Sequence, residues 1–135
     1  MELEKVKILQ KSIVSYKNKL LILQRNKDDS LGGFWDLPGG NLEFLEKMET
    51  GMKREIKEET GLKVSKVELI ETKEIIVKLK RKHFLLFLYK TETSSDKIKL
   101  SKEHQDYRWI DVKEISKYKL NPIFNYVKDS FKRLK

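Results

Sequence analysis

Gly40-Asn41-Leu42-Glu43-Phe44-Leu45-Glu46-Lys47, and after six more residues Arg54-Glu55-Ile56-Lys57-Glu58-Glu59-Thr60-Gly61-Leu62, is the stretch on which the reading of this chain turns. Glu55, Glu58 and Glu59 are spaced i, i+3, i+4, so on a helix they fall within roughly 100° of arc on one face. Like charges at that spacing repel and destabilise a helix. A bound cation relieves the repulsion, and clustered carboxylate oxygens suit Mg²⁺ or Mn²⁺ better than zinc or copper.

The surrounding residues support a site rather than a decorated surface helix. Leu37-Pro38-Gly39-Gly40 is a rigid turn followed by flexible backbone, where glycine allows close approach to a ligand. Met48, Met52 and Ile56 form an apolar i, i+4, i+8 row beside the acidic face, so one side can pack while the other meets solvent. Gly61 reads as a left-handed helix stop, with Leu62 as the apolar residue that follows such a stop. The helix is predicted from Lys47 to Thr60. A plain salt-bridged surface helix, with Arg54 and Lys57 neutralising the acids, accounts for neither the glycines nor the full spacing.

The spacing G-x5-E-x7-R-E-U-x-E-E-x-G-U, with U aliphatic, resembles the signature box of the Nudix (MutT-like) hydrolase family at each fixed position. Phe34-Trp35-Asp36-Leu37-Pro38-Gly39-Gly40 resembles the usual entry to that box. The resemblance implies an α/β fold: an α/β/α sandwich with a mixed central sheet, as one domain over residues 1–135. It also implies a Mg²⁺-dependent enzyme, with Mn²⁺ as a substitute, that hydrolyses nucleoside diphosphate-linked compounds. Carried onto this chain, Glu58 and Glu59 are the principal metal ligands. Glu55 is a further ligand or the base that activates water, and Arg54 orients the glutamates in partnership with Glu46. The carbonyl of Gly39 or Gly40 supplies another ligand. Leu45, Lys47 and Gly51 depart from the family pattern at the start of the helix. Lys47 lacks the side-chain acceptor of a good cap, which is worth about 1 kcal/mol, and Gly51 costs about 1 kcal/mol in helix propensity relative to alanine.

Ser101-Lys102-Glu103-His104-Gln105-Asp106-Tyr107-Arg108-Trp109 resembles an E-H-x-x-Y-x-W segment of several Nudix groups, including dinucleoside tetraphosphate hydrolases. That resemblance makes Glu103 an additional metal ligand or general base, His104 a phosphate contact and Tyr107 a base-stacking platform. Against it, Glu103 reads equally as a solvated loop carboxylate, and His104 reads more readily as a structural hydrogen-bonding residue than as a catalytic one. Arg25, at the end of a strand, is the best placed of many basic residues for a phosphate. Trp35 and Trp109 read as core or cleft-wall aromatics, and His83 as structural.

The remaining pattern bounds the class. The chain has 135 residues, which suits one domain with a real core. It has no cysteine, which excludes a disulfide framework and a cysteine nucleophile. Its longest apolar run, Phe84 to Tyr89, is too short to cross a bilayer. The N-terminus, with Glu2, Glu4, Lys5 and Lys7, lacks the apolar core of a signal peptide, so a cytoplasmic location is expected. Net charge is +9, from 30 basic and 21 acidic residues. That charge attracts nucleotides, but the basic residues form no single stripe, so a small nucleotide is the expected partner rather than nucleic acid or membrane. Monomer and homodimer are both open. The leading function is a pyrophosphohydrolase of (d)NTPs or dinucleoside polyphosphates. The alternatives are hydrolysis of ADP-ribose or nucleotide sugars, and a non-catalytic nucleotide- or RNA-binding module.

Strands are predicted over Val6 to Ser15 and Leu20 to Gln24 around a Tyr16–Lys19 turn. Leu20-Leu21-Ile22-Leu23 reads as a strand buried on both faces. A second pair spans Val64 to Leu79, with a break, and His83 to Lys90. Thr91 to Ser101 reads as a polar loop and Tyr107 to Ile110 as a short strand. Asp111 to Glu114 has capping-box spacing, and Asn121-Pro122 opens a last helix with Ile123, Val127, Phe131 and Leu134 on its apolar face.

Overall fold

The structure, a computed structural model, describes residues 5–134; Glu2 and Glu4 of the signal-peptide reading lie outside them. Strand β1 (Lys7–Tyr16) turns at Lys17 and Asn18, both at positive φ, into β2 (Lys19–Arg25). Paired positive φ is the backbone twist that matches a two-residue hairpin. Only Ser15↔Leu20 and Tyr16↔Lys19 pair, after which the two strands part. Into the fork run β3 (Trp35–Asp36), which pairs with β2, and β4 (Gly39–Asn41), which pairs with β1. The wedge is tied across Pro38, whose carbonyl accepts from Ser12 N–H at 3.0 Å.

Helix α1 (Met48–Thr60) follows, then β5 (Val64–Val77), a 3₁₀ turn at Lys78–Lys80, and β6 (Lys82–Thr93). β6 lies parallel to β1, β5 is antiparallel to β6, and β7 (His104–Ile110) is antiparallel to β2. The sheet is therefore mixed, as expected. The expected break in β5 is absent: the strand is continuous, and its pairing with β6 instead shifts register between Ser65 and Glu68 and between Leu69 and Glu71.

The two faces of the sheet carry separate cores. Leu20 and Ile22 pack on one side with Phe124, Val127 and Phe131; Leu21 and Leu23 pack on the other with Met52 and Ile56 of α1. The run Leu20 to Leu23 is thus buried on both faces, and the α/β/α layering follows from it.

Differences from the sequence reading are local. Thr91 belongs to β6, not to a loop: it is fully buried and its hydroxyl lies 3.0 Å from that of Ser12 on β1. β7 begins at His104, because a register shift at Gln24/Arg25 lets Arg25 pair with His104. The last helix is a 3₁₀ segment, Pro122–Val127, continued by a short α2 (Lys128–Lys132). Asn121 still caps it, accepting from Ile123 N–H at 3.2 Å.

The departures at the start of α1 have different physical outcomes. Lys47 is the N-cap and offers no side-chain bond, as its chemistry dictates. Gly51 sits against neighbouring side-chain tips: a Cβ there would lie 2.7 Å from Leu42 Cδ1 and 2.8 Å from Glu46 Oε1, so these ends would have to shift. Leu45 has φ 64° and is 87% exposed. A leucine in the left-handed region costs about 1–2 kcal/mol and here packs against little. Leu45→Gly is expected to stabilise the protein by about 1 kcal/mol, read as an increase in denaturation midpoint at unchanged m-value.

Candidate active site

The wedge brings the Gly39-Gly40 turn onto the acidic face of α1. Glu59 is buried and accepts Gly39 N–H at 2.6 Å through Oε1. Gly40 lies against Glu55, where a Cβ would come within 2.7 Å of the carboxylate. At both glycines backbone meets carboxylate; a Cβ on Gly39 would also run into the Gln10 carbonyl of β1, while one on Gly40 would displace the Glu55 carboxylate.

Arg54 organises the acids. Its Nε and Nη2 donate to the two carboxylate oxygens of Glu46, the latter at 3.0 Å, while Nη2 is 3.1 Å from Glu55 Oε1 and Nη1 3.1 Å from Glu58 Oε2. The hydrogen bond to Glu46, foremost, raises the already high pKa of the guanidinium. That contact in turn holds the Glu46 carboxyl below its usual range. Burial pushes Glu55 above the usual carboxylate range, with Arg54 opposing. Burial pushes Glu59 up to about 8, opposed chiefly by the nearby Lys11 ammonium. A buried carboxylate with so high a pKa binds a proton at neutral pH unless a cation takes its place.

Beneath the wedge lies a network that the sequence reading did not assign. Lys11, buried in the middle of β1, places Nζ 3.2 Å from Asp36 Oδ2 and donates to the carbonyls of Leu37 (3.3 Å) and Gly39 (3.4 Å). Asp36, fully buried, also accepts from Arg25 at 3.1 Å, Asn121 Nδ2 at 3.2 Å and Leu37 N–H at 2.8 Å. Buried charges persist when paired and hydrogen-bonded in this way. The only sequence signal was Gln10-Lys11-Ser12 interrupting an otherwise apolar strand.

On the far side of Glu59 stands β7. His104 is buried, and its Nδ1 lies 3.7 Å from Glu59 Oε2 without a hydrogen-bond partner among the described residues. Burial, first, pushes the imidazole down to about 4, with Lys11 adding to the effect, so it is neutral at pH 7. One donor atom each from Glu59, Glu103 and His104 can be found within 4.8 Å of the others. These residues thus fit a divalent cation, having oxygen donors, an orphaned buried nitrogen and one exposed member open to solvent.

Gly39, Gly40, Glu59, Glu103 and His104 line one part of a cleft of about 940 Å³, together with Arg25, Lys11 and Asn121. Its outer part is basic: Lys7 and the Lys80-Arg81-Lys82 turn meet there because β1 and β6 run side by side. Glu55 and Glu58 are not among its walls, although Glu55 abuts Gly40, which is. Tyr107 is not brought into the cleft either; it lies further along β7, opposite Leu23.

Among the described residues no helix is long and apolar enough to cross a membrane. The fold and the carboxylate turn are those of a Nudix domain, and sequence comparison agrees. A profile of the NUDIX domain matches residues 12–131. The chain belongs to the Nudix hydrolase family. It is 38% identical over 72 residues to an 8-oxo-dGTP diphosphatase of Proteus vulgaris, a match spanning 53% of this chain and 64% of that enzyme. It is 30% identical over 98 residues, 66% of this chain, to the nucleoside triphosphatase NudI of Escherichia coli, of which 70% is covered. Among solved structures it resembles a MutT protein of Methanosarcina mazei, with TM-score 0.78, 27% identity and coverage of 98% of this chain and 96% of that one. A MutT Nudix hydrolase of Burkholderia pseudomallei shares the fold at TM-score 0.79 and 20% identity, covering 98% of this chain and all of the other.

Proposed function

We propose that this protein is a divalent-metal-dependent pyrophosphohydrolase of nucleoside triphosphates, with water attacking a phosphorus of the phosphate chain. The observation that carries this reading is the buried Glu59 carboxylate held against the Gly39 turn, beside Glu55 and an arginine that fixes the other acids. The names of the two relatives, one acting on an oxidised deoxynucleoside triphosphate and one on nucleoside triphosphates, favour this substrate class over dinucleoside polyphosphates and nucleotide sugars.

In this reading Glu55, Glu58 and Glu59 would hold Mg²⁺ or Mn²⁺, with Glu103 and the Gly39 carbonyl as further oxygen donors. The Gly39 carbonyl is preferred over that of Gly40, because Gly40 stands opposite Gln10 in register with the flanking Ser12–Pro38 and Leu42–Ile8 hydrogen bonds. Such an ion, when bound, neutralises phosphate charge and lowers the pKa of water. Arg54 keeps the Glu58 carboxylate aimed along the helix face. Glu55, its pKa raised by burial, is suited to accept a proton from the attacking water. Arg25 and the basic outer wall would bind the phosphates, and Asp36 anchors Arg25 from below.

The test is release of nucleoside monophosphate and pyrophosphate from a (d)NTP panel, run with and without Mg²⁺ and beside ADP-ribose and dinucleoside polyphosphates. Glu58→Gln is expected to lower kcat at least about 100-fold with little change in stability, since Glu58 is exposed and its carboxylate pairs with Arg54 at the surface. Turnover that survives Glu58→Gln would sink the mechanism. Magnesium-independent nucleotide binding without hydrolysis would favour the binding-module alternative.

A further inference from the structure

We propose that His104 is itself a metal ligand, binding the divalent cation through Nδ1 beside Glu59 and Glu103, and so biases the site toward Mn²⁺ over Mg²⁺. The proposal rests on the metal-dependent reading above but goes beyond it, because the glutamates of the box supply only oxygen donors.

The surroundings of His104 suit a metal ligand better than a hydrogen-bonded imidazole. The His104 side chain is 4% exposed, and Nδ1 has no hydrogen-bond partner among the described residues. The carboxylate oxygen Glu59 Oε2 is 3.7 Å away, beyond the roughly 3.2 Å reach of a good hydrogen bond. A buried polar nitrogen left in this state is destabilising, and a bound cation relieves it. Around an octahedral cation with ligands at about 2.1 Å, neighbouring donors lie about 3.0 Å apart and opposite ones about 4.2 Å. The 3.7 Å from His104 Nδ1 to Glu59 Oε2 falls between these values, and one ring nitrogen of His104 lies within 4.8 Å of one oxygen each of Glu59 and Glu103.

The other oxygen of Glu59 is already held by Gly39 N–H, which leaves Oε2 to turn toward the ion. Glu103 is exposed, so the remaining coordination positions face the cleft, where water and phosphate can enter. β7 presents His104 at this spot because of the register shift opposite Arg25. Mg²⁺ prefers oxygen donors throughout, whereas imidazole nitrogen is accepted better by Mn²⁺ and later first-row ions.

The experiment is pulsed EPR of the full chain carrying one equivalent of Mn²⁺. The expected spectrum shows the ¹⁴N modulation of a directly bound imidazole. The chain has only two histidines, so growth on ¹⁵N-histidine replaces that pattern with a ¹⁵N one without altering any residue. His83→Gln controls for the other histidine, which also lines the cleft but pairs with Glu74 at 2.7 Å; the modulation persists in this variant. His104→Gln removes the modulation and weakens Mn²⁺ binding about tenfold, with a smaller loss for Mg²⁺. Bound Mn²⁺ without nitrogen coupling in the wild type overturns the proposal and leaves the hydrolase reading standing. Nitrogen coupling in a protein that turns over no nucleotide supports the ligand and overturns the proposed activity instead.

Discussion

Glu59→Gln is expected to abolish hydrolysis and, in the metal-free protein, to remove a loss of stability as pH rises. Glu59 has a folded pKa of about 8 against an ordinary value of 4.5. Below about pH 4.5 the carboxyl is protonated in both folded and unfolded chains. Between about 4.5 and 8 the folded chain holds a proton that the unfolded chain has released, so stability falls as pH rises. Above about 8 both forms are ionised and the slope ends. Each pH unit within the window is worth about 1.4 kcal/mol, for a total of a few kcal/mol. His104 works in the opposite sense: its folded pKa of about 4 lies below the ordinary 6.5, so it adds stability as pH rises between those values. The Glu59 effect is therefore cleanest above about pH 6.5. Glutamine mimics the protonated acid and keeps the acceptor for Gly39 N–H, so the variant should unfold at a pH-independent midpoint from 6.5 to 8. Mg²⁺ or Mn²⁺ should restore stability to the wild type at pH 8 and do little for the variant. Thermal or urea denaturation in chelator at several pH values reads this directly. A wild-type midpoint that does not fall over that window would contradict the buried, proton-binding state of Glu59.

The parts of the fold that could be read in advance are those written in periodicity and turn chemistry. The α1 helix, its Gly61 stop and the doubly buried Leu20 to Leu23 are periodic or local features, and so is the Tyr16–Lys19 turn. The fork between β1 and β2 is not local. A hairpin turn encodes that two strands meet, but not that they separate after two pairs to admit Trp35 to Asn41. For that reason Lys11 and Asp36 went unassigned, since each acquires its meaning only from a partner on another strand. Asn121 was legible as a helix cap, while its second bond to Asp36 was not. Gly51 illustrates the converse. Judged by propensity it weakens the helix; judged by what surrounds it, Leu42, Gln10 and Glu46 occupy the space where a Cβ would go. The acidic face was readable as chemistry, whereas its electrostatics came from burial. The same glutamate spacing on an open helix would lack the burial that raises Glu55 and Glu59. The basic residues, scattered in sequence, converge at the cleft only because β1 runs parallel to β6.

Gly39→Ala should be the most damaging single-methyl change in the wedge. Gly39 has φ 147°, a conformation that side-chain-bearing residues rarely adopt, and an added Cβ would stand 1.9 Å from the carbonyl oxygen of Gln10. The clash is with backbone of the central strand, so no side chain can rotate away. Relief requires β4 to lift from β1, which would pull the Gly39 N–H from Glu59 and the Gly39 carbonyl from Lys11. Two buried ionisable groups would then lose partners at once, at about 1–3 kcal/mol each, on top of the backbone strain of about 1–3 kcal/mol. A loss on the order of 4 kcal/mol or more is expected, a large part of the stability of a domain this size. Gly33→Ala gives the internal comparison: Gly33 also has positive φ, 84°, but an added Cβ there meets nothing within 4 Å. It should cost only the backbone term, about 1 kcal/mol. Equal destabilisation of the two variants in urea would show that positive φ alone governs both, and that the close contact between the wedge and β1 does not hold the site together.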